Sequence, residues 1–287
     1  MRDTHRVSDS GLTSHQDEVG SGERFQFGRN WSRFLRKLDE AHIQRAEGGL
    51  VEFLGTNGLS GKTFLDVGSG SGLSSLAARR LGAKVVSFDY DPESVACTLE
   101  LRRRYFPTDT HWTVAQGSVL DQAYLASLGQ FDIVYSWGVL HHTGAMWQAL
   151  ENVKSLVKPS GLLFIAIYND VGDVSVKWLE RKRRYNRLPR MLRPLYVTAV
   201  WIPNELRLAL GYMLSNRFGD YLRELTNYKN GRGMSRINDI VDWIGGYPYE
   251  YAQAEKLVKF YTAEGFTLRK LVENSSYGCH QIVFDRQ

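Results

Sequence analysis

Cysteine is scarce in this sequence: Cys97 and Cys279 are the only two in 287 residues. They lie far apart, so neither a disulfide framework nor metal-ligand spacing is present, and a reducing cytoplasmic compartment is expected. No cluster of His, Cys and carboxylates with ligand spacing accompanies them, so no metal site is expected. Also missing is any run of about 18 apolar residues of the kind that crosses a bilayer. The polar first segment, Met1 to Glu23, lacks a signal-peptide core. A more specific absence is at position 73. In a G-x-G-x-x-G/A dinucleotide fingerprint beginning at Gly68 and Gly70, the third small residue falls there. Leu73 occupies it, and the third glycine comes one residue early, at Gly72. This spacing counts against a nicotinamide oxidoreductase.

What is present is a chain of 43% hydrophobic residues, enough for one α/β domain with an insertion or for two small domains. The apolar run Thr63-Phe64-Leu65-Asp66-Val67 reads as a buried strand. The turn Gly68-Ser69-Gly70-Ser71-Gly72 follows, and Leu73-Ser74-Ser75-Leu76 opens a helix. Glycines at such a turn let the backbone approach a ligand closely. Further strands are predicted over 85–89, 112–115, 131–136, 162–168, 266–273 and 279–285, with helices over 92–105, 145–157 and 252–264. A break is predicted at Pro159-Ser160-Gly161. Near-continuous apolar strands between helices predict an α/β, Rossmann-like, mostly parallel sheet covered on both faces. The predicted organisation is a disordered tail (1–24), an N-terminal helical lid (25–58), a core (59–169), a helical basic and aromatic insertion acting as a cap (170–249), and the end of the core (250–287).

In such folds ligands sit at the carboxyl ends of the strands, and a ribose-binding carboxylate is expected about 20 residues beyond the first glycine. Asp89 stands at that distance in Phe88-Asp89-Tyr90-Asp91-Pro92. Asp91, just before a proline, suits the cap of the next helix, leaving Asp89 for the ribose.

At these residues the chain resembles the class I S-adenosylmethionine-dependent methyltransferases, over roughly residues 60–170 and again 250–285. The motifs that carry the resemblance are Leu65 to Gly72, Ser87 to Asp91, Gln116 to Asp121, Phe131 to Trp137, and Val157 to Gly161. The resemblance implies seven strands with the last antiparallel, and S-adenosyl-L-methionine as cofactor. It places the Gly68, Ser69, Gly70 and Gly72 loop at the methionine part, Asp89 at the ribose, and Gly117, Ser118 and Val119 at the adenine. An acidic residue commonly follows that glycine in the family, and here Ser118 replaces it. Asp66, Tyr90, Ser136 and Trp137 complete the candidate cofactor set.

Methyl transfer from a sulfonium needs alignment and exclusion of water, and a base of suitable pKa when the acceptor is a hydroxyl. After the fourth predicted strand stands Ser136-Trp137-Gly138-Val139-Leu140-His141-His142. Adjacent residues diverge on any regular element, so at most one of the two histidines faces the methyl group; His142 is favoured over His141 as the catalytic candidate. The alternative is that both only shape the pocket. This stretch lacks the Asn/Asp-Pro-Pro-aromatic motif of adenine N6-methyltransferases. No cysteine nucleophile for cytosine C5 chemistry stands nearby. Nucleic acid is therefore a disfavoured substrate, and RNA methylation through the basic insertion remains an alternative, as does a catalytically silent cofactor-binding module.

Net charge is +5, but Lys177 to Arg236 holds fourteen Lys/Arg against four Asp/Glu, leaving the rest of the chain mildly acidic. A basic segment beside apolar residues, across 177–214, can lie on an anionic membrane or grip a lipid-linked acceptor, or else form a cap with solvated arginines. The chain distantly resembles lipophilic-quinone O-methyltransferases, which carry a membrane-contacting insertion at this position. An amphipathic helix with Phe34, Leu35, Leu38 and Ile43, and the aromatic, glycine-rich stretch of Arg232 to Ser235 and Asp242 to Glu250, are expected to complete the pocket, the alternative for the latter being turns with packing aromatics. Phe27, Trp31, Tyr168 and Tyr247 are the candidate acceptor contacts. The sequence thus predicts O-methylation of a small or lipid-like acceptor.

Overall fold

The structure is a computed structural model that describes residues 14–232, 236–276 and 278–287. Residues 1–13 of the tail expected over 1–24, and the Gly233–Ser235 part of the glycine-rich stretch, lie outside the described residues.

Seven strands form one sheet: β1 (Thr63–Val67), β2 (Lys84–Asp89), β3 (Trp112–Gln116), β4 (Phe131–Trp137), β5 (Val157–Tyr168), β6 (Phe266–Val272) and β7 (Cys279–Arg286). Their order is β3-β2-β1-β4-β5-β7-β6. Only β7 runs against its neighbours, pairing antiparallel with β5 and β6. This is the Rossmann-like arrangement with an antiparallel last strand. The chain reverses between β1 and β4, so the carboxyl ends of β1, β2 and β4 open a crevice of the kind that holds ligands.

The N-terminal segment departs from expectation. Residues 15–21 form a helix, α1 (His15–Ser21), started by a capping box between Ser14 and Asp17 and fastened by the buried side chain of His15. Two reciprocal hydrogen bonds satisfy the helix's free N–H groups where hydrophobic periodicity is lacking. The expected lid over 25–58 is built into the core. Helix α2 (Gly28–Leu35) buries Phe34 and Leu35 in the same core cluster as α3 (Glu40–Leu54). Ile43, Leu50 and Leu54 of α3 are buried against the sheet with α4 (Leu73–Arg80) and α5 (Pro92–Tyr105). Opposite, α6 (Gln122–Leu128) and α7 (Met146–Lys154) bury Leu125, Leu150 and Val153.

β5 begins five residues earlier than expected. Pro159-Ser160-Gly161 does not break the strand, because the pairing of Phe131 with Val157 continues on the far side of a register shift. The insertion comprises α8 (Asp173–Arg187), α9 (Arg193–Leu214), α10 (Phe218–Arg232) and α11 (Arg236–Gly245). α12 (Ala254–Thr262) then returns to the core, burying Leu257 and Tyr261. α9 runs through Pro203. Proline removes one helical hydrogen bond, and on an exposed turn water can satisfy the freed carbonyl. The insertion meets the N-terminal segment in a hydrophobic cluster of Phe25, Trp178, Tyr185, Ile244 and Tyr249.

Candidate active site

A cleft of about 1720 Å³ runs from the glycine turn to the inner wall of the insertion. At its sheet end, Gly68, Gly70 and Gly72 all have positive φ (78°, 54° and 80°), a region costly for other residues. The N–H groups of Gly68 and Ser69 donate to the Phe88 carbonyl at 2.9 and 3.0 Å, which joins the turn to β2. A Cβ at Gly68 would stand 2.3 Å from Val139 Cγ1, so the turn and the loop after β4 approach closely only through glycine.

Asp89 lies on the cleft wall. Its Oδ2 accepts from the Gly70 N–H and its Oδ1 from the Asp91 N–H, at 2.8 and 2.9 Å. Burial lifts its carboxyl to about 6, against the pull of those two bonds. Each oxygen keeps a lone pair for a ligand hydroxyl. Asp91 caps α5 through the Glu93 N–H at 2.9 Å and accepts from the Gly28 N–H at 2.8 Å. Asp66 is 2% exposed beneath the turn, where it accepts from the Ser75 hydroxyl. Burial lifts its carboxyl to about 7.

Gln116, Gly117, Ser118, Val119 and Leu120 form a ledge beside Asp89. The Ser118 hydroxyl accepts from the Leu120 N–H at 3.1 Å, and its own O–H remains a donor. Trp137 also lines the cleft, with its indole N–H donating to Gln281 at 3.0 Å. Four expected contacts lie elsewhere. Gly72 turns the chain into α4 against Thr98, where a Cβ would come within 2.9 Å of the Thr98 Cα. Ser136 points to the other side of β4 and donates to the Val67 carbonyl at 3.0 Å. Tyr247 is buried, with its carbonyl accepting from the Phe25 N–H at 2.8 Å. His141 is fully buried.

The two histidines occupy a short 3-10 turn, Leu140–His142, after β4. His141 stacks on Tyr168 with ring centroids 4.0 Å apart and accepts from the Tyr168 N–H through Nδ1 at 3.3 Å. Burial holds it neutral, well below its ordinary pKa. His142 lines the cleft. Its Nδ1 lies 2.5 Å from the Pro248 carbonyl, a partner that only accepts, so Nδ1 carries the proton and Nε2 the lone pair. Burial lowers His142 to about 3, assisted by the charges of Lys182 and Arg24, while the Pro248 bond opposes. The Phe27 ring packs on it at 4.8 Å, and Trp31, Tyr168, Trp178 and Trp243 extend the aromatic wall.

Sequence reasoning missed several wall residues. Ser14, His15, Glu18 and Arg24, expected in the tail, close one side of the cleft. Arg24 ion-pairs with Glu18, donates to the His142 carbonyl at 2.8 Å and lies over the Tyr90 ring. Asp242 was read only as part of an aromatic stretch, yet it lines the cleft. Lys182, inside the basic segment, is fully buried between the rings of Trp243 and Tyr249 at 4.1 and 4.7 Å. No local signal distinguishes these residues, because their partners are distant in sequence.

The residues present suit an adenosyl group better than a dinucleotide. The turn offers glycine backbone and a carboxylate for a diol, and the nearby guanidinium of Arg24 is committed to Glu18 and to backbone carbonyls. No ligand group of three or more His, Cys, Asp or Glu occurs among the described residues.

A methyltransferase-domain family model matches residues 39–204. Among curated proteins, the chain is 30% identical over 114 residues to a ubiquinone biosynthesis O-methyltransferase of Glaesserella parasuis, covering 40% of this chain and 48% of that protein. It is 26% identical over 162 residues to the Brucella ovis protein of the same name, covering 52% and 62%. The chain therefore spans about half the length of the first of these relatives and less than two thirds of the second. Among solved structures, magnesium protoporphyrin IX methyltransferase of Synechocystis, with bound S-adenosylmethionine, superposes with a TM-score of 0.54 at 12% identity. The alignment covers 98% of this chain and 100% of that one, a likeness of fold. With the family model matching more than half of the sequence, on the sheet order and glycine turn described above, the chain belongs to the methyltransferase-domain family.

Proposed function

We propose that this protein is an S-adenosylmethionine-dependent methyltransferase that methylates an oxygen of a small-molecule or lipid-like acceptor. The observation that carries this reading is the single cleft. It joins Asp89 and the glycine turn to an aromatic wall through His142. Pockets for one small molecule commonly measure about 300–1,000 Å³, so 1720 Å³ accommodates a cofactor and a sizeable acceptor together.

Gly68, Ser69 and Gly70 hold the methionine part, Asp89 the ribose hydroxyls, and the 116–120 ledge the adenine. When bound, S-adenosylmethionine supplies an electrophilic methyl group on sulfur. The chain contributes position, exclusion of water and a place for the acceptor's proton. The Nε2 lone pair of His142 is available to a polar hydrogen of the acceptor, while Phe27, Trp31 and Tyr168 pack on its apolar body.

The insertion is the cap over the acceptor, and its outer face contacts an anionic membrane. Supporting this, α9 has no buried residue, and Leu195, Leu206 and Leu214 are 69%, 64% and 81% exposed. Arg183, Arg184, Arg187 and Arg190 are exposed on the adjoining segment. An apolar surface bordered by basic side chains suits the boundary of anionic lipid. No helix of the described residues is long and apolar enough to cross a membrane.

Calorimetry with S-adenosylmethionine, S-adenosylhomocysteine and NAD tests the cofactor; binding of the two adenosyl ligands and not NAD is expected. Incubating a small-molecule extract with radiolabelled methyl donor then identifies the acceptor. Failure to bind either adenosyl ligand defeats the reading, and binding without any labelled product leaves a silent module.

A further inference from the structure

The acceptor side of the cleft carries a carboxylate that neither the glycine turn nor the histidine pair accounts for. Asp242 lies near the end of α11, on the cleft wall beside Trp243. Its Oδ1 accepts from the side-chain amide of Asn30 on α2. Arg33 donates to the Asn30 oxygen at 3.2 Å, which fixes the amide with its N–H groups toward Asp242. The other oxygen, Oδ2, takes no hydrogen bond from the described residues. Asp242 is half-buried and lines the cleft, so this oxygen stays open to a ligand that enters it.

The backbone that carries Asp242 is held in place. The Gly246 N–H donates to the Asp242 carbonyl at 2.8 Å, and the buried amide of Asn186 donates to the Gly245 carbonyl at 2.6 Å. A Cβ at Gly246 would meet the Asp242 carbonyl at 2.9 Å and both His142 Cε1 and Phe27 Cζ at 3.3 Å. The end of α11, the His142 ring and the Phe27 ring therefore converge on one point of the wall.

We infer that Asp242 takes the proton of the methyl acceptor's hydroxyl, through its open Oδ2, while the neighbouring His142 ring positions the acceptor's body. This rests on the methyltransferase reading above. The acceptor's O–H bond breaks and its proton passes to Oδ2. The pair on oxygen forms the bond to the methyl carbon, whose bond to sulfur breaks with its pair staying on sulfur. Charge balances, since a cationic sulfonium becomes a neutral thioether and the carboxylate becomes a carboxylic acid.

The surroundings suit this task. Burial raises the Asp242 carboxyl to about 7; the Asn30 bond opposes, Asp239 on the same helix adds to the rise, and Lys182 of α8 and Arg33 of α2 pull it down. A base near the working pH is the more effective proton acceptor. His142, held at about 3, binds a proton too weakly to keep it.

The test uses the full chain with Asp242→Asn and Asp242→Glu. Both are expected to bind S-adenosylhomocysteine as the wild type does, which also reports that they fold; absence of binding in the wild type defeats the parent reading instead. On the extract fraction that the wild type labels, turnover of Asp242→Asn should fall by about 10²–10⁴-fold, with partial activity in Asp242→Glu. The acid limb of the wild-type rate profile, near the Asp242 pKa, should vanish in Asp242→Asn. Independently of turnover, infrared difference titration should find a carboxyl protonating near neutral pH in the wild type and missing from Asp242→Asn. Turnover of Asp242→Asn within about twofold of wild type, or a residue-242 carboxyl with an ordinary carboxylate titration, overturns the proposal.

Discussion

The Gly70 N–H donates to the Asp89 carboxylate at 2.8 Å, across 19 residues of sequence. The bond makes the glycine turn and the end of β2 one unit, so the expected ribose ligand and the methionine loop hold their spacing before any cofactor arrives. Such preorganisation limits the ordering that binding must impose.

Asp89→Asn keeps the side chain's shape and its capacity to accept from Gly70 but removes the charge. Hydrogen bonds to charged groups contribute about 1.5–3 kcal/mol, so S-adenosylhomocysteine should bind roughly 10–100-fold more weakly, measured by calorimetry, with a lowered melting temperature because the amide can no longer accept from the Asp91 N–H as well. Equal affinity in the two proteins removes Asp89 from the cofactor site.

His142→Gln should lower turnover by about tenfold or more while S-adenosylhomocysteine affinity stays near wild type. Because the folded-state pKa of His142 is near 3, it is neutral throughout the physiological range. Its protonation therefore produces no inflection near 6.5 in the wild-type rate profile. An inflection there that disappears in His142→Gln refutes the assignment of a neutral, Pro248-bonded imidazole.

Lys182 is the clearest case of linkage between charge and stability. Burial lowers its pKa from 10.5 to about 7 in the folded protein, with Asp242 opposing. Between those values the unfolded chain carries the extra proton, so stability rises with pH across that window and is lost as pH falls toward 7. Denaturant unfolding from pH 7 to 10 should show this slope in the wild type and its absence in Lys182→Met. Parallel curves for the two proteins contradict a neutral buried amine.

The outer face of α9 should bind vesicles. Sedimentation with anionic-lipid liposomes is expected to carry the wild type down, less so as salt screens the arginines. Leu206→Glu combined with Leu210→Glu, at positions 64% and 53% exposed, should release it and leave S-adenosylhomocysteine binding intact. Wild type that stays in solution with every lipid mixture rejects the membrane contact.

The elements that sequence reading located are those whose signal is local. The run into Gly68, the spacing to Asp89 and the Asp91-Pro92 cap each occupy a few residues and obey turn and capping rules that need no partner. The α1 helix escaped notice because its few polar residues show no periodicity. It is fixed by Glu18, Arg24 and Tyr90 meeting across the cleft.

Sequence alone determined the strand and helix alternation, the glycine turn with its adenosyl rather than dinucleotide spacing, and a basic insertion after the fifth strand. These follow from dihedral preference, hydrophobic period and charge count, which act over short stretches. The tertiary structure decided which histidine reaches the cleft, and it buried Lys182 inside the basic segment. It also set Asp242 beside Asn30, 212 residues away in the chain. Those outcomes depend on which surfaces pack together, and only the folded chain brings partners so distant in sequence into contact.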